Sequence, residues 1–434
     1  MYKKIFFSKL YDFFLRILVR IIPKINRENL IDISKKNNSI CVVEDAYEFE
    51  VKEPKQKIAR YRFKNSVGPR KVDCFFGTKL RDIRLIGPYA IPVTRFGQII
   101  LEPISRRSLV YVIKLTIKKI GLMGFVKQYF FAICPYFDLK KNLVEVGAHL
   151  VCRGLKEVMI DNQLHLTPVF GHWMGEQLPQ LRGIEAVINK NNFTNYKLII
   201  NKSPPKWQID SLELMGFDKK NIKYMDADGL RVDHLIVASL RNVKSSGMEC
   251  DPKARLWAAK RLQSYYDHKN FTNENVINNI CLFRQDAPTR RINNIEAVRE
   301  NIKLNQFIEI DVSNKNLFES GKDFIFAKRF LACFGGGISR IMFSKNLEEL
   351  IEIYSCDQDD RDVFFLLASE MNIEYKCIAA GKLPKSISSQ GEKFLSSKNY
   401  EENERCANIQ ELSVITNEWH VPTEKLAAVL NTKN

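Results

Sequence analysis

Residues 330–344 read FLACFGGGISRIMFS, and residues 350–354 read LIEIY. This pattern predicts a buried strand, a glycine turn, a short helix and a second strand, the order that builds a phosphate cradle in α/β folds. Gly335, Gly336 and Gly337, called the glycine turn below, let backbone amides approach an anion without a Cβ in the way. The stretch therefore predicts a diphosphate site. Its spacing matches neither a Walker loop nor a Rossmann fingerprint, so a purely structural turn stays open.

Strand and helix patterns alternate through most of the chain. Short strands are expected within residues 40–105, and buried strands at 198–200, 235–238, 280–283, 307–310, 330–334 and 350–353. A helical pattern over 204–215 ends at Gly216, and a last short helix is expected at 423–430. The alternation predicts an α/β fold with doubly wound sheets.

Three further motifs precede the glycine turn in a fixed order. Residues 81–101 contain RDIRLIG and TRFGQIIL, residues 167–181 read TPVFGHWMGEQLPQL, and residues 280–294 read ICLFRQDAPTRRINN. This succession resembles the glycosyltransferase 61 family, over about residues 70 to 378. The chain departs from the family pattern at two positions, with Phe334 where the family loop usually has His and Gly336 where it has Ala.

The resemblance implies a GT-B-like architecture, in which two Rossmann-like domains face each other across a cleft, here with a β-rich N-terminal portion. It implies an inverting glycosyltransferase that takes its sugar from a nucleotide-sugar donor and needs no metal or other cofactor. We divide the chain into an amphipathic membrane-associating segment (1–35), an acceptor-side domain (36–240), a nucleotide-sugar-binding domain (241–378), and a polar crossover with a terminal helix (379–434).

His172 is the candidate general base. It stands at the predicted entry to a helix that continues through Leu178, and Glu176 follows at i+4 on the same face. A carboxylate at that distance can bond to the imidazole and raise its basicity for taking a proton from an acceptor hydroxyl. Which of the two side chains acts as the base stays open, as does a core or capping role for the histidine.

Basic residues after the strand expected at 280–283 are the candidates for donor binding. Arg284 comes directly after it, and Arg290, Arg291 and Asn294 follow. A sugar nucleotide leaves as a diphosphate, and guanidinium groups can stabilise the charge that develops on its oxygens. The carboxyl end of a strand is also where α/β folds bind ligands. Surface ion pairing is the alternative for any one arginine.

Three residues around the glycine turn complete the predicted donor site. Ser339 and Arg340 open the expected helix and can donate to phosphate, whereas Glu352 lies in the next strand and can accept hydrogen bonds from ribose hydroxyls. Glu352 alternates with Ile351 and Ile353, so it faces one side of the sheet.

No metal site is predicted. Asp226-Ala-Asp228-Gly229 is similar to the Asp-x-Asp of other glycosyltransferases, but Asp-Gly before a strand is ordinary turn chemistry. The ten cysteines have no zinc spacing, because the closest pair, Cys134 and Cys152, is eighteen residues apart. Cys281 and Cys333 lie in apolar runs and are expected to be buried thiols, which favours a reducing, cytoplasmic compartment.

The formal net charge of +17 predicts an anionic partner surface. In residues 1–30, Phe6, Leu10, Phe13, Phe14, Ile17 and Ile21 share one face of a helical wheel, beside a basic face. This arrangement is typical of a helix lying in an anionic membrane surface, and the segment is too charged for a signal peptide and too short in apolar residues to span a bilayer. A helix packed on the core of the protein itself is the alternative.

A second basic and aromatic stretch runs from Arg106 to Phe137 and contains no acidic residue. Such a surface can lie near a bilayer and hold a lipid-linked glycan. It can also bind single-stranded nucleic acid or be a solvated helix, but no nucleic-acid-binding motif occurs in the chain. We therefore expect a nucleotide sugar, a glycan or lipid-linked glycan acceptor and an anionic membrane surface as partners, with no nucleic acid.

The sequence as a whole predicts a cytoplasmic enzyme, peripheral on the inner membrane face, that moves a UDP-linked sugar to a bacterial-type surface glycan such as capsule or lipooligosaccharide. Phe334 in place of the family histidine keeps one alternative open, a non-catalytic membrane-peripheral protein of glycan assembly that retains the fold.

Overall fold

A computed structural model describes most of the chain. The described residues are 15–17, 19–104, 109–137, 142–151, 155–160, 163–240, 251–267, 277–284, 290–355, 361–380 and 418–431. The chain divides into two compact units, unit 1 with residues 1–47 and 73–241 and unit 2 with residues 48–72 and 242–434. The segment 48–72, which the sequence places with the N-terminal domain, is part of unit 2 in this division.

Unit 1 is built on a nine-stranded mixed sheet. The strands of unit 1, including a separate two-stranded pair at 155–168, are Lys24–Ile25, Ile40–Glu44, Phe75–Ile86, Ile91–Thr94, Ile99–Ile100, Leu143–His149, Leu155–Ile160, Gln163–Pro168, Lys197–Ile200, Ile222–Tyr224 and Leu230–Ala238. Leu143–His149 is parallel to both Lys197–Ile200 and Leu230–Ala238, whereas Phe75–Ile86 is antiparallel to Leu230–Ala238. The predicted α/β class is confirmed, but this sheet is mixed and not doubly wound throughout.

The helices of unit 1 cover this sheet. They are Arg27–Lys36, Leu109–Ile133, Phe170–His172, Leu181–Lys190 and Lys206–Leu214, with a π-helical turn at Trp173–Gln177 and 3₁₀ turns at Pro135–Phe137, Leu178–Gln180 and Lys219–Asn221. Leu181–Lys190 packs closely on Phe75–Ile86, because a Cβ built on Gly77 would lie 2.3 Å from the carbonyl oxygen of Gly183. The two glycines thus permit the approach that fixes the helix on the sheet.

Unit 2 is built on a five-stranded sheet in which every pair is parallel. The sheet strands in spatial order are Ile308–Glu309, Asn279–Leu282, Arg329–Cys333, Glu349–Ser355 and Glu374–Ala380. Two smaller pairs join Tyr47–Val51 with Gly68–Val72 and Arg291–Ile292 with Glu418–Trp419. The all-parallel order is the doubly wound pattern that the sequence predicts for this part of the chain.

Along the chain, the helices of unit 2 lie between the strands of the parallel sheet, before the first of them or after the last of them. They are Lys57–Arg62, Pro252–Asp267, Ile295–Leu304, Leu317–Ile325, Val363–Glu370 and Thr423–Asn431, and a 3₁₀ helix occupies Gly336–Phe343. The helix expected after the glycine turn is therefore 3₁₀ and not α. Leu317–Ile325 begins with a capping box, in which the side chains of Asn316 and Glu319 each accept from the other's backbone N–H.

The membrane-associating helix predicted for the N-terminus falls largely on residues 1–14, outside the described residues. Residues 15–17 and 19–21 are helical, and the strand Lys24–Ile25 follows directly after Pro23. Leu15, Val19 and Ile22 are buried in the hydrophobic core of unit 1, whereas Ile21, on the predicted apolar face, is exposed. These residues therefore pack on the core of the protein itself, the alternative left open by the sequence.

Candidate functional site

His172 lies where the helical geometry changes. The chain passes from the short helix Phe170–His172 into a π-helical turn, Trp173–Gln177, and then into a 3₁₀ turn before helix Leu181–Lys190. This helical run belongs to the connection from strand Leu143–His149 to the parallel strand Lys197–Ile200 and comes after the strand pair at 155–168. Because it leads to the amino end of Lys197–Ile200, it begins towards the carboxyl edge of the sheet of unit 1. π-Helical turns inside helices occur frequently at functional sites.

The side chains of His172 and Glu176 form the pair that the i+4 spacing predicts. Nδ1 of His172 lies 2.9 Å from Oε1 of Glu176. The imidazole is 43% exposed and the carboxylate only 1% exposed. A buried carboxylate on Nδ1 fixes the tautomer in which Nε2 can accept a proton from a reactant. The arrangement suits a general base that is oriented from behind by Glu176.

Buried contacts hold this helical run in place. The indole nitrogen of Trp173, which is fully buried, donates to Oγ of Ser211 at 2.8 Å. The ring of Phe170 meets that of Trp207 edge to face, with the centroids 5.2 Å apart. Both partners belong to helix Lys206–Leu214. The position of His172 is therefore set by a neighbouring helix as well as by its own turn.

Arg284 lies against the glycine turn in unit 2. A Cβ built on Gly335 would be 2.7 Å from Nη1 of Arg284, so only glycine leaves room for the guanidinium group there. Arg284 follows the strand Asn279–Leu282, and the glycine turn follows the adjacent parallel strand Arg329–Cys333. The predicted proximity of arginine and glycine turn is thus present at the carboxyl edge of this sheet.

Arg290 reaches the same place from the end of the same connection between strands. Its Nη1 donates to the carbonyl oxygen of Phe334 at 2.8 Å. The backbone of Arg290 has φ = +63°, a left-handed conformation that costs free energy for a residue other than glycine. Strained residues of this kind cluster at ligand sites, and here the strain directs a guanidinium group to the residue before the glycine turn.

Arg361 is a third cation near the glycine turn, which the sequence did not single out. Its guanidinium carbon lies 6.0 Å from the ring centroid of Phe334, and that of Arg290 lies 5.6 Å from it. The ring of Phe334 is buried against Phe364 at 5.3 Å. The position of Arg361 shortly after the strand Glu349–Ser355 is the only sequence signal for it. We call Arg284, Arg290 and Arg361 the arginine cluster.

Two of these charges also act on Cys333. Burial raises the pKa of the Cys333 thiol to about 12, and the positive charges of Arg284 and Arg290 act against this shift. Cys333 ends the strand that leads into the glycine turn. An anion bound at this edge would meet both guanidinium groups.

Ser339 and Arg340 lie inside the 3₁₀ helix and not at its start. Oγ of Ser339 is buried without a hydrogen-bond partner in the described residues. Desolvation lowers the pKa of the Arg340 guanidinium to about 10, and the charge of Asp323 opposes this. Their predicted contact with phosphate stays a prediction.

Arg291 and Asn294 are arranged around the C-terminal segment. Arg291 belongs to the short strand that pairs with Glu418–Trp419. The side-chain amide of Asn294 donates to the carbonyl of Val421 at 2.8 Å and accepts from its N–H at 3.0 Å. Asn294 therefore holds the chain before helix Thr423–Asn431, a contact that the sequence did not predict.

Glu352 is buried among side chains of unit 2. It is 1% exposed and accepts from the hydroxyl of Tyr375 at 2.7 Å. Nη1 of Arg62 lies 3.6 Å from the other carboxylate oxygen. Burial raises the pKa of Glu352, and Arg62 opposes that rise. The ribose contact predicted for Glu352 stays a prediction, and these contacts give the carboxylate a second, structural role.

The Asp226–Gly229 segment is a turn. The carboxylate of Asp226 accepts from the backbone N–H of Ala227 and pairs with Nζ of Lys202 at 3.0 Å. Gly229 has φ = +75°, which fits the turn chemistry expected of Asp-Gly. Within the described residues, no three His, Cys, Asp or Glu side chains come together as a metal site.

Two cavities lie at opposite edges of the sheet of unit 2. One, of about 420 Å³, is at the carboxyl edge and is lined by Leu282, Phe283, Arg299, Glu309, Ile310, Asp311, Val312 and Ser313. The other, of about 970 Å³, is larger and lies at the amino edge, with Lys328 and Glu374 in its wall. The smaller one is the candidate ligand site, because Leu282 also lines the glycine turn, and parallel sheets bind ligands at their carboxyl edge.

The comparison with known proteins is consistent with this geometry. The model of the glycosyltransferase 61 family matches residues 170–351, and no curated protein matches the chain significantly. The matched range is shorter than the 70 to 378 expected from the motifs. It includes His172, Glu176, Arg284, Arg290 and the glycine turn, and it ends one residue before Glu352. Residues 170–351 thus match the glycosyltransferase 61 family, and the activity that this match indicates is that of a glycosyltransferase.

Proposed function

We propose that this glycosyltransferase transfers a sugar from a UDP-linked donor to a bacterial-type surface glycan, such as capsule or lipooligosaccharide, with inversion at the anomeric carbon. The observation that carries the donor class is the contact of Arg284 with Gly335, beside the bond from Arg290 to Phe334. Guanidinium groups around a glycine turn suit a diphosphate better than a monophosphate, because two charged groups need compensation.

The proposed reaction has four linked events. Nε2 of His172 takes the proton of an acceptor hydroxyl, and the oxygen attacks the anomeric carbon. The bond from that carbon to the diphosphate oxygen breaks, and the nucleoside diphosphate leaves with its negative charge on the arginine cluster. Buried Glu176 stabilises the imidazolium that forms. A single in-line displacement of this kind inverts the anomeric configuration.

In this proposal unit 1 binds the acceptor and unit 2 binds the donor, as the two domains of a GT-B-like enzyme do. Its support is that unit 2 has an all-parallel sheet with a cavity of about 420 Å³ at the carboxyl edge. That volume is within the range of small-ligand pockets, and we place the nucleoside there, next to Leu282.

The proposal also places the protein in the cytoplasm and gives nucleic acid no role. Each cysteine in the described residues is a free thiol, and Cys281, Cys333 and Cys377 are buried. Buried free thiols are typical of a reducing compartment. Oligonucleotide binding that falls steeply with salt and is not displaced by nucleotide sugars would contradict this assignment.

A donor screen tests the proposal. Thermal shift and calorimetry with UDP-, GDP-, dTDP- and CMP-sugars should show the strongest binding for a UDP-sugar and the weakest for the CMP-sugar, which has one phosphate. Transfer is then measured with the best donor and a panel of glycan acceptors. Preference for the CMP-sugar would contradict the diphosphate site, and binding of all four with equal affinity would leave the arginine cluster without a role.

One observation favours a second candidate, a non-catalytic protein of glycan assembly. Phe334 replaces the family histidine, and its ring is buried against Phe364. A buried ring offers no proton donor to a leaving group. Tight UDP-sugar binding with no transfer and no donor hydrolysis would select this candidate over the enzyme.

A further inference from the structure

The helix Leu109–Ile133 of unit 1 has two unlike halves. Gly121 interrupts it with φ = +77°. Before the kink, most apolar side chains are buried in the core of unit 1. After the kink, Phe125 and Ala132 are buried, but the opposite side of the helix is apolar as well. A helix with apolar residues on all sides is buried or lies in a membrane, so the outer side of this half needs a partner.

The outer side forms a continuous stripe. The apolar stripe consists of Leu122, Met123, Val126, Phe130 and Ile133. Its residues at 122, 126, 130 and 133 are spaced by 4, 4 and 3, which places them on one side of a helix. Their exposed fractions run from 43% for Ile133 to 77% for Met123. Large exposed apolar patches mark sites of interaction.

A neighbouring turn extends the stripe. Phe96 is 70% exposed at the tip of the turn between two strands of unit 1. The next residue, Gly97, accepts a hydrogen bond from the hydroxyl of Tyr129, and a Cβ built on it would lie 3.3 Å from Ile133. The turn is thus fixed beside the helix. Two separate elements of the chain present apolar side chains on one side of unit 1.

The charged side chains on the helix itself and on the turn beside it all have one sign. From residue 103 to residue 137 the sequence contains no Asp or Glu. Lys118, Lys119 and Lys127 are exposed on the helix, and Arg95 is exposed beside Phe96. An apolar surface within cationic side chains is complementary to acyl chains below anionic headgroups. Two copies of this surface would instead bring like charges together.

We propose that the apolar stripe and Phe96 dock unit 1 on an anionic lipid bilayer, with the helical half after Gly121 lying in the interface plane. Among the described residues, no helix is both long and apolar enough to cross a bilayer. In this proposal the main contact with lipid is made by the apolar stripe and not by the N-terminal helix, because Leu15, Val19 and Ile22 of that helix are buried. It is independent of the donor site.

The test uses the full chain and sedimentation with sucrose-loaded vesicles. Vesicles of phosphatidylcholine are compared with vesicles that also contain about 30 mol% phosphatidylglycerol, at low and high salt. Phe130→Asp and Met123→Asp should each lower binding to the anionic vesicles at least tenfold. The control is Leu304→Asp, since Leu304 is 83% exposed at the end of a helix of unit 2. It should bind like the wild type.

A second variant keeps the apolar residues and removes charge. With Lys118, Lys119 and Lys127 changed to Gln, binding should fall and lose most of its salt dependence. Thermal unfolding shows whether each aspartate variant folds. If one does not, the lysine variant still tests whether this surface binds anionic lipid.

Three results would overturn the proposal. One is wild-type binding by all stripe variants, which would assign the lipid contact to another part of the chain. Another is equal binding to both vesicle types. The third, from light scattering, is a wild-type dimer that Phe130→Asp converts to a monomer, which would make the stripe an interface between copies.

Discussion

The candidate base in unit 1 and the arginine cluster in unit 2 are assembled in different ways. His172 and Glu176 are four residues apart, and one helical turn brings them together. Arg284 and Arg290 both follow the strand Asn279–Leu282, Arg361 follows the strand Glu349–Ser355, and they meet because parallel strands end at one edge. The geometry of the base thus depends on one helical turn, whereas the geometry of the cluster depends on how the strands of the sheet are arranged. Changes to each should therefore affect different steps of transfer.

The largest expected effect is on the local pair. His172→Ala should lower turnover by about 10²–10⁴-fold and leave donor affinity nearly unchanged, because general base catalysis acts in the transition state. Steady-state kinetics with donor calorimetry measure both quantities. His234→Ala, in the strand Leu230–Ala238 of unit 1, is the control.

The companion variant at the same pair is Glu176→Gln. It should lower turnover less than His172→Ala does, since the amide oxygen can still accept the hydrogen bond from Nδ1 of His172. A greater loss from Glu176→Gln than from His172→Ala would make the carboxylate the base. If neither change affects turnover, the pair has only a structural role.

The next effect concerns the cluster. Arg284→Ala should weaken nucleoside diphosphate binding by about 1.5–3 kcal/mol, the size of a hydrogen bond to a charged group. Calorimetry with UDP measures it, and Arg261→Ala, on helix Pro252–Asp267 of the same unit, is the control. Unchanged UDP affinity in Arg284→Ala would move the donor site away from the glycine turn.

A third prediction concerns the pH dependence of stability that the buried His149 of unit 1 causes. Burial lowers the pKa of His149 to about 4 from an ordinary 6.5, and its Nε2 lies 3.0 Å from the carbonyl oxygen of Ala90. The unfolded chain therefore takes up a proton below pH 6.5 that the folded chain refuses until about pH 4. As the pH falls through this window, His149 should remove stability, about 2 kcal/mol between pH 7 and about pH 5.

The measurement is denaturant unfolding at the two pH values for the wild type and for His149→Gln. The variant should be less stable at neutral pH, but its acid loss should be smaller than that of the wild type by this amount. An equal acid loss in both proteins would mean that His149 does not titrate differently on folding.

A smaller effect is expected at the glycine turn. Gly335→Ala should lower UDP affinity by less than Arg284→Ala does, because the new methyl group displaces a flexible guanidinium group and not backbone. The φ of Gly335 is 160°, which alanine can adopt, so the melting temperature should change little. Affinity equal to the wild type would show that the contact with Arg284 does not matter for donor binding.

The smallest effect is expected from the removal of metal ions, which should leave turnover unchanged. Transfer should persist in excess EDTA, because the arginine cluster supplies the positive charge that a cation provides elsewhere. If EDTA abolishes turnover and manganese restores it, Asp226 and Asp228 become candidate ligands again, and the pairing of Asp226 with Lys202 would have to open.

The sequence alone was enough for the features that depend on neighbours in the chain. Periodicity located the strands Lys197–Ile200, Asn279–Leu282 and Arg329–Cys333 to within a residue or two, and Gly216 ended its helix as expected, with φ = +81°. The i+4 spacing predicted the bond between His172 and Glu176. The order of the motifs predicted the family that matches residues 170–351.

Only the tertiary structure decided which of the predicted residues meet. Glu352 has the residue type and the strand position of a ribose ligand, and its carboxylate also pairs with Arg62, which is distant in sequence. Asn294 holds Val421, and Arg361 enters the cluster without a motif. The helical wheel placed Ile21 on the apolar face of the N-terminal helix, but among the described residues of this helix Ile21 is exposed and Leu15, Val19 and Ile22 are buried. The physical reason is that a helical or strand period fixes which residues share a face, whereas burial depends on what the rest of the chain packs against that face.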